Sequence, residues 1–77
     1  MNPNFELRNQ VRHFRRAAEV TQQELADRIG VTRQTILSIE KGKYTPSVAL
    51  ALLISEALCV RVDELFQLER GTSDDSK

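Results

Sequence analysis

The stretch "TQQELADRIGVTRQTILSIEKG", Thr21 to Gly42, sets two short amphipathic patterns on either side of a bend that contains a glycine. Thr21 followed three residues later by Glu24 forms a capping box, in which the hydroxyl and the carboxylate each satisfy a free amide at a helix start. One helix therefore begins at Gln22 and runs to about Ile29, with Leu25, Ala26 and Ile29 on its inner face. Gly30 supplies the left-handed conformation that ends it at little cost. Thr32 caps a second helix from Arg33 to about Lys41. Its Ile36 and Ile39 point inward, which turns Gln34, Leu37, Ser38 and Lys41 toward solvent, with Arg33 beside them in the first turn. Gly42 closes that helix.

Upstream, Val11, Phe14, Ala17 and Ala18 recur at helical spacing and predict a preceding helix. Its start has two readings. Asn9 caps it and leaves Phe5 and Leu7 alternating in a short strand, or Asn4 caps it and Leu7 joins the apolar stripe; the strand is preferred. Downstream, "YTPS" is a turn leading into a fourth helix of about Ser47 to Leu58, with Pro46 suited to a first helical position. That helix is apolar on almost every side, so it belongs at the centre of the fold or shares its surplus face with a second subunit. A short fifth helix near Val62 to Leu65 follows, and Phe66 and Leu68 continue as extended chain or a last turn. The expected organisation is one domain, residues 1–69, followed by a disordered acidic tail, residues 70–77, that has no apolar residue.

Composition narrows the function. Seventy-seven residues can bury one modest core, and the single cysteine, Cys59, excludes an internal disulfide framework. No charged-then-apolar leader is evident, which points to a cytoplasmic product. The longest apolar run, "VALALLI", is too short to span a bilayer, so no membrane partner is expected. The formal net charge of zero hides a polarised chain. Through Lys43, eight basic residues face five acidic ones, a net +3; from Tyr44 onward three face six, a net −3. The basic half coincides with the two-helix bend.

Two helices joined by a tight glycine turn match the helix-turn-helix, which presents its second helix to the major groove of DNA. Arginine can pair bidentately with guanine, glutamine with adenine, and an exposed leucine can touch a thymine methyl. Those residue types lie on the outer face of the Arg33 helix.

The segment "TQQELADRIGVTRQTILSIEKGKYTPS" resembles the Cro and phage-repressor class of regulators, the Xre family, with the likeness running from about Val11 to Phe66. The compact length and "VDELFQ" are similar to a branch of very small regulators such as the cytolysin operon repressor. The resemblance implies an all-α, five-helix, lambda-repressor-like DNA-binding domain, extended in that branch by a two-stranded sheet of the terminal segments and by homodimerisation. It further implies base reading by Thr32, Arg33, Gln34 and Ser38 with Leu37 adjacent, and phosphate contacts by Gln22, Thr35 and Lys43. Arg15 and Glu40 match a pair that links the first helix to the recognition helix by a partly buried salt bridge. The expected activity is that of a homodimeric repressor of double-stranded DNA, reading an inverted-repeat operator.

Two departures stand out. Cys59-Val60-Arg61 replaces the Gly-Val-Ser common between the last two helices of relatives, and Glu19 stands where glycine often precedes the second helix. Other features have plainer readings. Arg8, Arg12 and Arg16 read as solvated helix charges, His13 as a surface or edge residue, and Cys59 as a small buried filler. No catalytic constellation, clustered metal ligands or phosphate-cradling glycine loop occurs, so neither enzymatic activity nor a metal, cofactor or small-molecule ligand is expected. The competing class is a protein-interaction module, antitoxin-like, that uses the same fold without reading DNA.

Overall fold

The computed structural model describes residues 5–70. Among them the order is β1 (Phe5–Asn9), α1 (Val11–Ala17), α2 (Gln22–Ile29), α3 (Arg33–Glu40), α4 (Val48–Leu58), α5 (Val62–Leu65) and β2 (Phe66–Arg70). The five helices pack around Val11, Leu25, Ala26, Ile36, Ile39, Ile54 and Leu65, all fully buried, with Phe14, Val31 and Phe66 closing the edges.

Local chemistry accounts for the central helices. The capping box at α2 is complete: the Glu24 N–H donates to Thr21 Oγ1 at 3.0 Å, and the Thr21 N–H donates to Glu24 Oε1 at 2.8 Å. The bond from the Thr21 N–H favours the ionised carboxylate and, with the Thr21 hydroxyl as the smaller cause, holds Glu24 below the usual carboxylate range. Gly30 turns left-handed at φ 78° and α3 starts three residues later, capped by Thr32, whose Oγ1 accepts from the Thr35 N–H at 3.2 Å. α3 ends at Glu40, one residue before the predicted Lys41, and Gly42 follows at φ 76°.

The fold is not all-α. β1 and β2 form an antiparallel two-stranded sheet that brings the two ends of the described chain together, with Phe5 opposite Arg70, Leu7 opposite Leu68 and Asn9 opposite Phe66. The pairing satisfies backbone groups that a helical extension of α1 would have used otherwise, and the preferred reading of residues 5–8 as a strand agrees with it. Glu6 lies opposite Glu69, a repulsive pairing that Arg8 offsets by donating from Nη1 to Glu69 Oε1 at 2.8 Å. Phe5, Leu7, Leu68 and Phe66 share the other face of the ribbon.

Several details differ from the sequence reading. In α1, Ala17 and Ala18 are exposed, and the buried residues are Val11 and Arg15. Ser47, and not Pro46, sits at the start of α4, accepting from the Leu50 N–H at 3.1 Å. α4 is only partly enclosed: Leu50, Ile54 and Leu58 face the core, whereas Val48, Leu52 and Leu53 remain exposed. Cys59 is exposed, and it adopts a left-handed conformation at φ 56°, the place glycine would normally take. Glu19 does the same at φ 60°. At both sites a paired ring of backbone bonds closes the turn, Val20 N–H to Arg15 and Glu19 N–H to Arg16, then Val60 N–H to Ser55 and Cys59 N–H to Glu56. Arg61 precedes α5 without a serine-type cap, and it grips Asp63 through two bonds of 3.0 Å. Residues 71–77, the bulk of the expected tail, lie outside the described residues, and Arg70 ends β2.

Candidate nucleic-acid interface

α3 is seated on the core by Ile36 and Ile39, which leaves a continuous outer face. Thr32, Arg33 and Gln34 are exposed there, and Thr35, Leu37 and Ser38 are half-buried at its margins. Side chains four apart line up along a helix, so Gln34 stands over Ser38, and Arg33, Leu37 and Lys41 form a parallel row. Gln34 Nε2 approaches Ser38 Oγ at 3.4 Å, a long contact that a better acceptor would displace. Lys43 is exposed just past α3, where its backbone N–H ties to the Ser38 carbonyl at 2.9 Å.

What fixes this face is a polar cluster at its inner edge. Arg15 Nε donates to Glu40 Oε2 at 2.6 Å and Nη2 to Oε1 at 3.3 Å, while Nη1 reaches the Val20 carbonyl at 2.9 Å. The pair is largely desolvated, with 11% and 4% of the two side chains exposed. Gln22 Nε2 also donates to Glu40 Oε1, at 3.1 Å. One carboxylate thus joins α1, the first turn of α2 and the last turn of α3. Gln22, expected to meet a phosphate, has its side-chain amide committed to Glu40; its first-turn backbone N–H has no carbonyl within its own helix.

Sequence reasoning passed over three features of this region. Asn9 bridges elements: its Oδ1 accepts the Val11 N–H at 3.2 Å and its Nδ2 donates to the Ile39 carbonyl at 2.9 Å. Its candidacy as a cap was the only signal in the sequence. Tyr44, 46% exposed, borders a cleft of 250 Å³ with Gln34, Thr35 and Ser38. Arg12 and Arg16 border a second cleft, of 430 Å³, on the opposite side of α3. His13 is exposed and meets Phe14 edge to face at 5.0 Å. Among the described residues, no three His, Cys, Asp or Glu side chains are grouped to hold a metal ion, and no helix is long and apolar enough to cross a membrane.

Comparison with known proteins points the same way. A family model described as helix-turn-helix matches residues 11–65. An uncharacterised HTH-type transcriptional regulator of Methanocaldococcus jannaschii is 41% identical over 63 residues, covering 82% of this chain and 96% of that protein. Another, of Methanothermobacter thermautotrophicus, is 45% identical over 64 residues, 82% of this chain and 93% of that protein. Among solved structures, the restriction-modification controller protein C.AhdI of Aeromonas hydrophila superposes with a TM-score of 0.70 at 30% identity, over 74% of this chain and 86% of that one. With the bend, the seated α3 and the matched span in agreement, the chain belongs to the Xre-like helix-turn-helix family, a family of DNA-binding transcriptional regulators and not of enzymes.

Proposed function

We propose that this protein is a homodimeric repressor that reads an inverted-repeat operator in double-stranded DNA, acting in the cytoplasm. The observation that carries the reading is α3 itself, anchored by Ile36, Ile39 and the Glu40 cluster while Arg33 and Gln34 stand free. In this reading Thr32, Arg33, Gln34, Leu37 and Ser38 meet base edges, and Thr35 and Lys43 meet phosphates. Gln22 contributes its backbone N–H to a phosphate while its side chain holds Glu40 in place. The protein would repress by occluding a promoter.

Two subunits would set their α3 helices into successive major grooves, about 34 Å apart on one face of the duplex. The second subunit has a surface to occupy. Leu7 and Leu68 on the ribbon are exposed, and Leu7 borders a cleft of 240 Å³ together with Val48, Leu52, Val62 and Phe66. A terminal ribbon joined to such a face supports membership of the small cytolysin-repressor-like branch. The protein-interaction reading draws on the same apolar face, but it gives the free α3 surface no role.

Selection of bound duplexes from a randomised pool, at near-physiological salt, tests the proposal. Enrichment of an inverted repeat with half-sites about one helical turn apart supports it. Recovery of no motif contradicts it and favours the protein-interaction reading.

A further inference from the structure

We propose that Arg12 and Arg16 of α1, together with Lys41 at the end of α3, form a second anchor for the DNA backbone, holding phosphate in the cleft between α1 and α3. The proposal rests on the DNA-binding reading above and adds to it a site on α1, outside the helix-turn-helix.

The cleft has a volume of 430 Å³, and its floor is the Arg15–Glu40 pair with Gln22. Its charge is one-sided. Arg12, Arg15, Arg16 and Lys41 contribute four cations, and Glu40 is the single anion at its wall. That anion is already fully engaged, since both of its oxygens accept from Arg15 and one also accepts from Gln22. Among the described residues the ion pairs are Arg8–Glu69, Arg15–Glu40 and Arg61–Asp63, so Arg12, Arg16 and Lys41 have no carboxylate partner there. Arg12 and Arg16 are four apart on α1, and like charges at that spacing repel. An arrangement that costs stability in the free protein fits a site that an anion completes.

Geometry selects a phosphate backbone as that anion. A helix with its side chains is about 10–12 Å across and the major groove is about 12 Å wide, so a helix in the groove leaves the two sugar-phosphate strands beside its flanks. Along one flank of α3 lie Thr35 and Tyr44. The other carries this cleft, with Lys41, the residue just past α3, continuing the row of Arg33 and Leu37. Arginine pairs bidentately with phosphate oxygens, and two such groups on one wall can hold a phosphate or two successive ones.

The test compares wild type with the Arg12→Gln/Arg16→Gln double variant, on the selected operator and on an unrelated duplex, across a salt series. Every phosphate released from an arginine should reduce the salt slope by about 0.9. The expected result for the dimer, which carries four of these arginines, is a slope lower by up to about four such increments and an affinity about 100-fold or more weaker on both duplexes, with the selected motif unchanged. Ethylation of phosphates along one flank of the operator should block wild-type binding and have no such effect on the variant. An Arg8→Gln/Arg61→Gln control changes net charge equally, and it should retain the wild-type slope. A double variant with wild-type slope and affinity overturns the anchor while leaving the DNA-binding reading intact, as does a control that falls just as far. Wild-type protein that binds no duplex overturns both readings.

Discussion

Gln22 and Arg15 grip one carboxylate, that of Glu40, from two different helices, at 3.1 Å and 2.6 Å. α3 is therefore held in orientation by charge as well as by the apolar anchors Ile36 and Ile39. Because both charges are mostly removed from water, deleting one leaves the other unpaired, at a cost of about 3–5 kcal/mol. A domain of this size has about 5–15 kcal/mol in total. Arg15→Ala or Glu40→Ala should thus lower the melting temperature sharply, whereas Gln22→Ala should cost about 1 kcal/mol. Thermal unfolding followed by circular dichroism separates the three.

Glu19 and Cys59 occupy left-handed backbone that glycine adopts without penalty. A residue with a Cβ loses about 1–2 kcal/mol there, offset in part by the greater freedom of glycine in the unfolded chain. Glu19→Gly and Cys59→Gly should each stabilise the protein by about 0.5–1 kcal/mol. Chemical denaturation would read this as a higher midpoint with unchanged slope, and a lower midpoint at either site would contradict it.

The Glu24 carboxyl, lowered by its bonds from Thr21, links the start of α2 to pH. A group whose folded value is depressed contributes stability above its unfolded pKa and loses it as pH falls through the folded one. The capping box should therefore stay intact through mild acid, and open only below the usual carboxylate range. The NMR titration of the Glu24 side chain and the exchange rate of the Thr21 amide should report the same midpoint. Titration of Glu24 within the ordinary range would contradict the cap.

The apolar ribbon and the exposed side of α4 lead to a prediction about assembly. In a two-fold interface each side chain counts twice. If Leu68→Ala removes about 1.5 kcal/mol of burial per subunit, the pair loses about 3 kcal/mol. The dissociation constant of the proposed dimer should then rise by about two orders of magnitude. Sedimentation equilibrium would show this, and a variant that associates like wild type would place the interface elsewhere.

Much of the fold is legible in the sequence where its determinants are local. Thr21 with Glu24, Gly30 and Thr32 each act within a few residues, and they define α2, the bend and α3 to within one position. The ribbon is harder to read. Alternation at Phe5 and Leu7 signals a strand, but its partner lies about sixty residues away, and nothing local at Phe66 specifies the pairing with Asn9. In α4, apolar residues on every side hide which row faces the core, since Leu50, Ile54 and Leu58 look no different in sequence from Val48 and Leu52. The cleft between α1 and α3 is illegible for a similar reason. A basic helix face reads alike whether it is merely solvated or lines a depression, and only tertiary packing brings Arg12 and Arg16 beside Lys41.

In the proposed division of roles the outer face of α3 reads bases, while residues such as Lys43 only hold the backbone. Repeating the randomised-duplex selection with Gln34→Ala and with Lys43→Ala tests it most directly. Gln34→Ala should lose preference at one symmetric position of each half-site, with specific affinity reduced by about 1–3 kcal/mol. Lys43→Ala should return the wild-type motif, bound more weakly on every sequence and with a shallower salt dependence. An unchanged motif for Gln34→Ala, or an altered base preference for Lys43→Ala, would contradict this division.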